Sequence, residues 1–261
     1  MTTLHQFALC AVIAPITLFS SGVHPKNRPA LNGVKNVVLV HGAFADGTSW
    51  AAVISRLQEK GYHVAAVQNP LTSLEDDVAA TKRAIALMDG PVLLVGHSWA
   101  GMVISAAGND AKVAGLVYVA ALIPDEGQSV VDVNAPFPPG PGGAEFRPDA
   151  EGFLSMTAKG IHEDFAQDLP EAQRNVLVAT QTPWAAAATV QPVHNVAWKT
   201  KPSWCIVATE DRMINPDLER ATAKMINATT IELESSHVPM VSQPDAVANF
   251  IDQAANRLSA N

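Results

Sequence analysis

A serine lies at the end of an apolar run, directly before a segment with the composition of a helix. Residues 91–101 read PVLLVGHSWAG, so Ser98 stands at a strand-to-helix turn. A serine held in such a tight turn needs small neighbours, which Gly96, Ala100 and Gly101 provide, although Ala100 replaces the more usual glycine of G-x-S-x-G. The pattern predicts a nucleophilic hydroxyl at the carboxyl end of a central strand, where open α/β sheets bind ligands. An ordinary helix-capping serine is the alternative interpretation.

A serine hydroxyl is a weak nucleophile and needs a base within hydrogen-bonding distance. We predict His237 as this base, because it follows the last predicted strand and so lies over the same sheet edge as Ser98. The acid that orients the base is expected after the strand at 203–208, where Asp211 is the first choice and Glu210 the second. The order serine, aspartate, histidine along the chain is a known order for such triads.

Acyl transfer also needs backbone N–H groups that bind the developing oxyanion. The amide of Trp99 directly follows the serine and is one candidate donor. The loop after the first strand is expected to supply the other, with Ala43 as the first choice and Phe44 as the second. His41 and His97 lie at strand ends, and we expect both to bind neighbouring backbone rather than to take part in the chemistry.

Large apolar side chains near these motifs are candidates for lining a substrate pocket. We predict Phe44, Phe137, Trp184 and Val238 as substrate-binding residues, with Trp99 beside them. Packing in the core is the alternative for each aromatic ring. An apolar lining favours neutral substrates with aryl or short alkyl parts.

Short apolar runs that alternate with helical patterns must position these residues. This alternation predicts βαβ units and a mostly parallel sheet covered on both faces. The predicted strands are 36–40, 63–67, 91–95, 113–119, 203–208 and 230–233. The predicted helices are 49–60, 74–88, 98–108, 216–226 and 244–258.

The alternation breaks between residues 124 and 201. A connection of this length exceeds an ordinary loop, so we predict a small cap inserted over the sheet. Its run PFPPGPGG at 136–143 is too rich in proline and glycine for regular structure and predicts a flexible part. Helical patterns follow at 150–159 and 170–180.

The first residues form a separate segment. The apolar run 7–19 is too short to span a bilayer, and small residues follow it at 20–22. We therefore predict a signal peptide or leader at 1–25, a tether at 26–35 and one folded domain at 36–261. The expected location is secreted or periplasmic. A cytoplasmic protein with an uncleaved leader is the alternative, because residues 1–6 contain no lysine or arginine.

Charge and cysteine content exclude several classes of function. The net charge is −8 and lysine and arginine are not clustered, which argues against binding to nucleic acid or to an anionic membrane surface. The two cysteines, Cys10 and Cys205, form neither a disulfide framework nor a zinc-binding spacing. We therefore expect no metal and no cofactor, and small molecules as the partners.

The four motifs together resemble the α/β-hydrolase superfamily. They are His-Gly-Ala at 41–43, Gly-His-Ser-Trp-Ala-Gly at 96–101, Thr-Glu-Asp at 209–211 and Ser-His-Val-Pro at 236–239. The opening motif and small cap are similar to the methylesterase and hydroxynitrile lyase branch and to bacterial carboxylesterases like it. This resemblance implies the α/β-hydrolase fold, small carboxylic esters as substrates and no cofactor. The lyases of that branch carry threonine and lysine where this chain has Gly42 and Val238, which disfavours cyanohydrin cleavage.

The sequence therefore predicts a serine hydrolase that cleaves small neutral carboxylic esters through an acyl-enzyme on Ser98. A lactonase or an acyltransferase with the same triad is an alternative within the same chemistry. A ligand receptor on the hydrolase fold, with little or no turnover, is the alternative from another class.

Overall fold

The computed structural model describes residues 33–258, so the predicted leader and most of the tether lie outside the described residues. Its strands are β1 (Asn36–Val40), β2 (His63–Ala66), β3 (Val92–His97), β4 (Val113–Val119), β5 (Phe146–Pro148), β6 (Phe153–Met156), β7 (Trp184–Ala185), β8 (Ser203–Ala208) and β9 (Thr229–Leu233). Its α-helices are α1 (Ala51–Lys60), α2 (Leu74–Ala86), α3 (Ala100–Ala107), α4 (Val130–Asn134), α5 (Ala158–Gly160), α6 (Glu171–Thr180), α7 (Pro216–Met225), α8 (Pro239–Ser242) and α9 (Pro244–Arg257).

Six strands form a parallel sheet in the order β2-β1-β3-β4-β8-β9. The residues of β1, β3 and β8 are buried throughout, as expected for strands covered on both faces, whereas the edge strands β2 and β9 are more exposed. All six predicted strands are confirmed to within two residues at each end. The predicted mostly parallel α/β-hydrolase fold is confirmed.

The strand order reverses direction between β1 and β3. The chain runs from β1 outward to β2 and then returns past β1 to β3. Because crossovers between parallel strands are right-handed, this reversal puts α1 and α2 on opposite faces of the sheet. Accordingly, α1 packs against α9, while α2 packs against α3. The reversal opens a crevice at the carboxyl ends of β1 and β3, between the loops that carry the predicted chemistry.

The segment between β4 and β8 builds a separate layer. Strands β5, β6 and β7 form a small antiparallel sheet. The predicted helix at 170–180 is confirmed as α6, but the predicted helix at 150–159 is wrong, because β6 occupies its centre and pairs with β5. The expectation of no regular structure at 136–143 is also wrong at its end, where a 3₁₀ helix spans Pro141–Glu145. Proline at the first position of that helix costs no backbone donor.

Candidate active site

Ser98, His237 and Asp211 form one continuous chain of hydrogen bonds. The Nε2 atom of His237 lies 2.8 Å from Ser98 Oγ, and its Nδ1 atom lies 2.5 Å from Asp211 Oδ2. All three side chains are buried. Since a carboxylate only accepts, Nδ1 carries the proton and Nε2 is free to accept the hydrogen of the serine hydroxyl. A hydroxyl in this arrangement can give its proton to the imidazole as it attacks a carbonyl carbon.

The turn after β3 holds Ser98 in an uncommon backbone conformation. Its φ angle is +55°, in the left-handed region that residues other than glycine rarely adopt. The backbone N–H of Ser98 donates to Val119 O, and its carbonyl accepts from the amide of Leu122. A side chain at Gly96 would put Cβ 2.8 Å from the carbonyl oxygen of Ala100. The tight turn therefore requires glycine at 96 and accommodates alanine at 100.

Backbone amides fix the carboxylate of Asp211 in place. Its Oδ1 atom accepts hydrogen bonds from Met213 N at 2.7 Å and from Ile214 N at 2.9 Å. The other oxygen is left for His237. Glu210, the second choice from the sequence, has an exposed side chain, so the structure brings Asp211 to the imidazole instead.

Two further histidines bind backbone around the site. His97 Nε2 lies 2.8 Å from the carbonyl oxygen of His237, and the two rings pack 4.8 Å apart. His41 Nε2 accepts from Asn69 N, while its Nδ1 lies 2.9 Å from Gly42 O. Burial lowers the pKa of both His41 and His97, so both rings are neutral at pH 7. Neither ring makes a hydrogen bond to the Ser98 hydroxyl.

The loop after β1 approaches Ser98 closely. A Cβ atom placed on Gly42 would lie only 2.6 Å from Ser98 Cβ, so the backbone of this loop borders the serine. The next two residues are Ala43 and Phe44, and Phe44 adopts a left-handed φ of +58°. Within residues 33–258, the backbone N–H groups of Ala43, Phe44 and Trp99 donate to no protein acceptor. These amides therefore have no acceptor within the described part of the chain.

A cavity of about 210 Å³ opens above Ser98 and His237. Apart from those two residues its lining is mostly apolar, and its other side chains with hydrogen-bonding groups are Asn134 and the indoles of Trp99 and Trp184. Of the predicted substrate-binding residues, Phe44, Trp99 and Trp184 line this cavity. The sequence did not reveal the rest of the apolar lining, which includes Leu122, Val130, Phe146, Phe165, Met213 and Ile214.

Phe137 and Val238, which were also predicted to bind substrate, are not among the residues that line this cavity. Phe137 closes the turn after α4 through its backbone N–H to Asn134 O and packs against the core. Val238 follows His237 directly but precedes α8, and its side chain is buried in the core. Adjacency in sequence to His237 does not place a side chain in the cavity.

A buried aspartate supports the pocket wall from behind, and no sequence motif marked it. Asp77 Oδ2 accepts a 2.7 Å hydrogen bond from Trp99 Nε1, and its Oδ1 accepts from Leu71 N at 2.8 Å. Burial raises the pKa of Asp77 to about 6, although both hydrogen bonds act in the opposite direction. The Trp99 ring in turn packs 5.1 Å from the ring of Trp184 on β7. Asp77 thus connects α2 to the wall of the cavity.

Part of the inserted segment forms polar contacts with the loops that carry Asp211 and His237. A π-helix spans Ile161–Phe165, and its Asp164 pairs with Arg212 Nε at 2.7 Å. Asp168 accepts a hydrogen bond from the backbone N–H of Ser236. π-Helical turns are rare and often occur at functional sites. The segment between β4 and β8 therefore positions the site as well as covering it.

The described part of the chain offers neither a metal site nor a membrane span. Within it, no three His, Cys, Asp or Glu side chains lie together as metal ligands would. No helix between residues 33 and 258 has both the length and the apolar character to cross a bilayer.

The family model for the alpha/beta hydrolase family matches residues 37–250. The match covers most of the chain, which therefore belongs to the alpha/beta hydrolase family. The resemblance inferred from the four sequence motifs is confirmed.

Individual relatives are distant but align over nearly their whole length. The chain is 26% identical to the alpha/beta hydrolase nvfD of Aspergillus novofumigatus over 244 residues, covering 84% of this chain and 96% of that protein. It is 25% identical to the pyrethroid hydrolase of Sphingobium wenxiniae over 258 residues, covering 85% of this chain and 89% of the relative. Among solved structures, polyneuridine aldehyde esterase aligns with a TM-score of 0.72 at 18% identity, over 85% of this chain and 99% of that chain. This structural similarity shows the shared fold.

Proposed function

We propose that this hydrolase cleaves small neutral carboxylic esters through an acyl-enzyme on Ser98. The observation that carries the proposal is the hydrogen-bonded order Ser98, His237, Asp211 at the floor of an apolar cavity. Two relatives support an ester substrate by their names, a pyrethroid hydrolase and polyneuridine aldehyde esterase.

In the first step Ser98 acts as the nucleophile. His237 Nε2 takes the hydroxyl proton while Ser98 Oγ attacks the ester carbonyl carbon, which gives a tetrahedral intermediate. The backbone N–H groups of Trp99 and Ala43 stabilise its oxyanion, with Phe44 as the second choice for the latter donor. The intermediate collapses as His237 returns the proton to the departing alkoxide, and the alcohol leaves.

In the second step water releases the acid. His237 takes a proton from a water molecule, which attacks the acyl carbon bound to Ser98. Collapse of this second intermediate breaks the bond to Ser98 Oγ, which regains its proton from His237. Asp211 holds the imidazole in the required tautomer and stabilises the imidazolium in both steps.

The cavity supports the choice of neutral substrates. Its lining contains no lysine, arginine, aspartate or glutamate, so a charged group would lose its hydration there without a partner. Its aromatic side chains offer apolar contact to aryl or short alkyl groups, and they are Phe44, Trp99, Phe146, Phe165 and Trp184.

Side-by-side hydrolysis of p-nitrophenyl acetate and butyrate by the wild type and by Ser98→Ala tests the proposal. We expect wild-type turnover and a loss in kcat on the order of 10⁴-fold in the variant. Undiminished hydrolysis by Ser98→Ala would show that Ser98 is not the nucleophile. Circular dichroism of both proteins establishes that the fold is retained.

A further inference from the structure

A second buried carboxyl group lies beside Asp211. Glu219 projects from α7, and its side chain is buried. Its Oε2 atom accepts a hydrogen bond from Ala208 N at the end of β8, while no N–H or hydroxyl group donates to its Oε1 within the described residues. Asp211 is held beside it, because Asp211 N donates to the carbonyl oxygen of the same Ala208 whose N–H binds Glu219, and the two carboxyl groups lie close enough to share a hydrogen bond.

Two carboxylates this close and this deeply buried cannot both carry a negative charge. Asp211 accepts hydrogen bonds from two backbone N–H groups and from the imidazole of His237. Glu219 accepts a single backbone donor. Burial, followed by the negative charge of Asp211, raises the pKa of Glu219 well above its ordinary value. The proton of the pair therefore lies on Glu219.

The other groups around Glu219 leave this charge state in place. Cys205 on β8 lies near enough to interact electrostatically with it, and burial raises the pKa of that thiol, which is therefore neutral. Arg220, the next residue on α7, directs its guanidinium to Glu232 and Asp217 at the surface. Its charge lowers the pKa of Glu219, but this is the smallest of the effects on that group. No buried cation in the described structure compensates a charged Glu219.

We propose that Glu219 is a positioning residue: as a neutral acid it donates a hydrogen bond to Asp211 and so fixes the carboxylate that holds His237. This inference rests on the proposed function, because it assigns Glu219 a part in orienting the base. The Glu219 carboxyl touches no substrate. It acts through Asp211, and the hydrogen-bonded order becomes Glu219, Asp211, His237, Ser98.

Two substitutions separate this role from a purely structural one. Glu219→Gln keeps a carbonyl oxygen for Ala208 N and an N–H donor for Asp211, and it is neutral at every pH. Glu219→Leu has similar bulk and provides neither. The measurements are kcat and KM for p-nitrophenyl butyrate across pH, and the low-field proton NMR signal of the His237 Nδ1–H.

We expect Glu219→Gln to keep kcat within about twofold, with the same midpoint of the acid limb and the same low-field signal, because it reproduces the protonated acid. Glu219→Leu should lower kcat on the order of tenfold with little change in KM, since an imidazole that is less well oriented weakens the chemical step. Its low-field signal should shift or broaden.

Two results would overturn the inference. A lower acid-limb midpoint in Glu219→Gln would mean that Glu219 is ionised in the wild type, because removing a negative charge near His237 makes the imidazolium less stable. A Glu219→Leu variant with wild-type kcat and an unchanged low-field signal would mean that the donated hydrogen bond has no effect. If Glu219→Leu does not fold, the Gln variant decides alone. If the wild type does not hydrolyse the ester, the proposed function fails, whereas the NMR signals of both variants still decide the role of Glu219.

Discussion

The indole of Trp99, the residue directly after Ser98, donates a 2.7 Å hydrogen bond to the buried carboxylate of Asp77. The same carboxylate accepts the backbone N–H of Leu71, whose carbonyl accepts from Ala185 N on β7. One side chain of α2 thus ties the turn after β3 to the inserted sheet. We therefore expect Asp77 to affect both stability and the shape of the cavity.

Replacing Trp99 with phenylalanine should destabilise the fold, because it leaves a buried carboxylate oxygen of Asp77 without its donor. We expect a loss of about 1–3 kcal/mol in the free energy of unfolding, measured by urea denaturation. Trp184→Phe is the matched control, since the buried Trp184 Nε1 has no hydrogen-bond partner in the described structure. Equal losses in the two variants would contradict the importance of the Asp77 bond.

Asp77 should also make stability depend on pH. Its pKa is about 6 in the folded protein, against an ordinary value of 3.8, so the folded state binds more protons between these values. The contribution of Asp77 to the free energy of unfolding therefore falls by about 3 kcal/mol as pH rises from about 4 to 6, and it is constant above pH 6. Asp77→Asn lacks this contribution. Urea unfolding at several pH values should show the wild type losing stability relative to Asp77→Asn over that range. A constant difference between the two proteins would refute the shift.

The sequence allowed the central sheet and the three loops to be predicted because each signal is local. Ser98, Asp211 and His237 each follow an apolar strand, and parallel strands bring their carboxyl ends to one edge. The structure places these three side chains within hydrogen-bonding distance, and their roles in the reaction are the proposal that the experiments test.

The parts that could not be predicted depend on tertiary packing. Phe146 and Phe165 reach the cavity only because the inserted segment folds over the sheet as an antiparallel layer and a π-helical turn. Glu219 looks in sequence like an acid in the first turn of a helix, which the helix dipole favours anyway. Its burial against β8 and Asp211 appears only when α7 docks on the sheet. Asp77 also lies in the first turn of a helix, and its burial could not be predicted from the sequence for the same reason.

Gly42→Ala should impair turnover without removing any group that takes part in the reaction. The new Cβ would lie 2.6 Å from Ser98 Cβ and 2.9 Å from the backbone oxygen of His97, so the serine must move. We expect kcat/KM to fall on the order of 10²-fold, because a displaced serine is poorly aligned with the substrate carbonyl. Gly90→Ala is the control, because its Cβ would meet only Asn36 Nδ2 at an ordinary 3.5 Å. A Gly42→Ala enzyme as active as this control would contradict the close packing.

Asp168→Ala tests whether the inserted segment positions His237. The change leaves the backbone N–H of Ser236, the neighbour of His237, without its acceptor. We expect kcat to fall on the order of tenfold, because the base loses its fixed orientation. KM should change little, because the pocket keeps its shape. Asp245→Ala removes an exposed ion pair with Arg56 and serves as the control with an expected kcat near that of the wild type. Similar kinetics in both variants would argue against the positioning role.

Covalent labelling of Ser98 tests the central claim most directly. The wild type and Ser98→Ala are treated with a fluorophosphonate, then compared by intact mass and by peptide mapping. The proposed mechanism predicts one adduct per wild-type chain, located on Ser98, loss of ester hydrolysis in proportion to labelling, and no adduct on Ser98→Ala. Labelling at another residue, or an unlabelled wild type that still hydrolyses esters, would contradict an acyl-enzyme on Ser98.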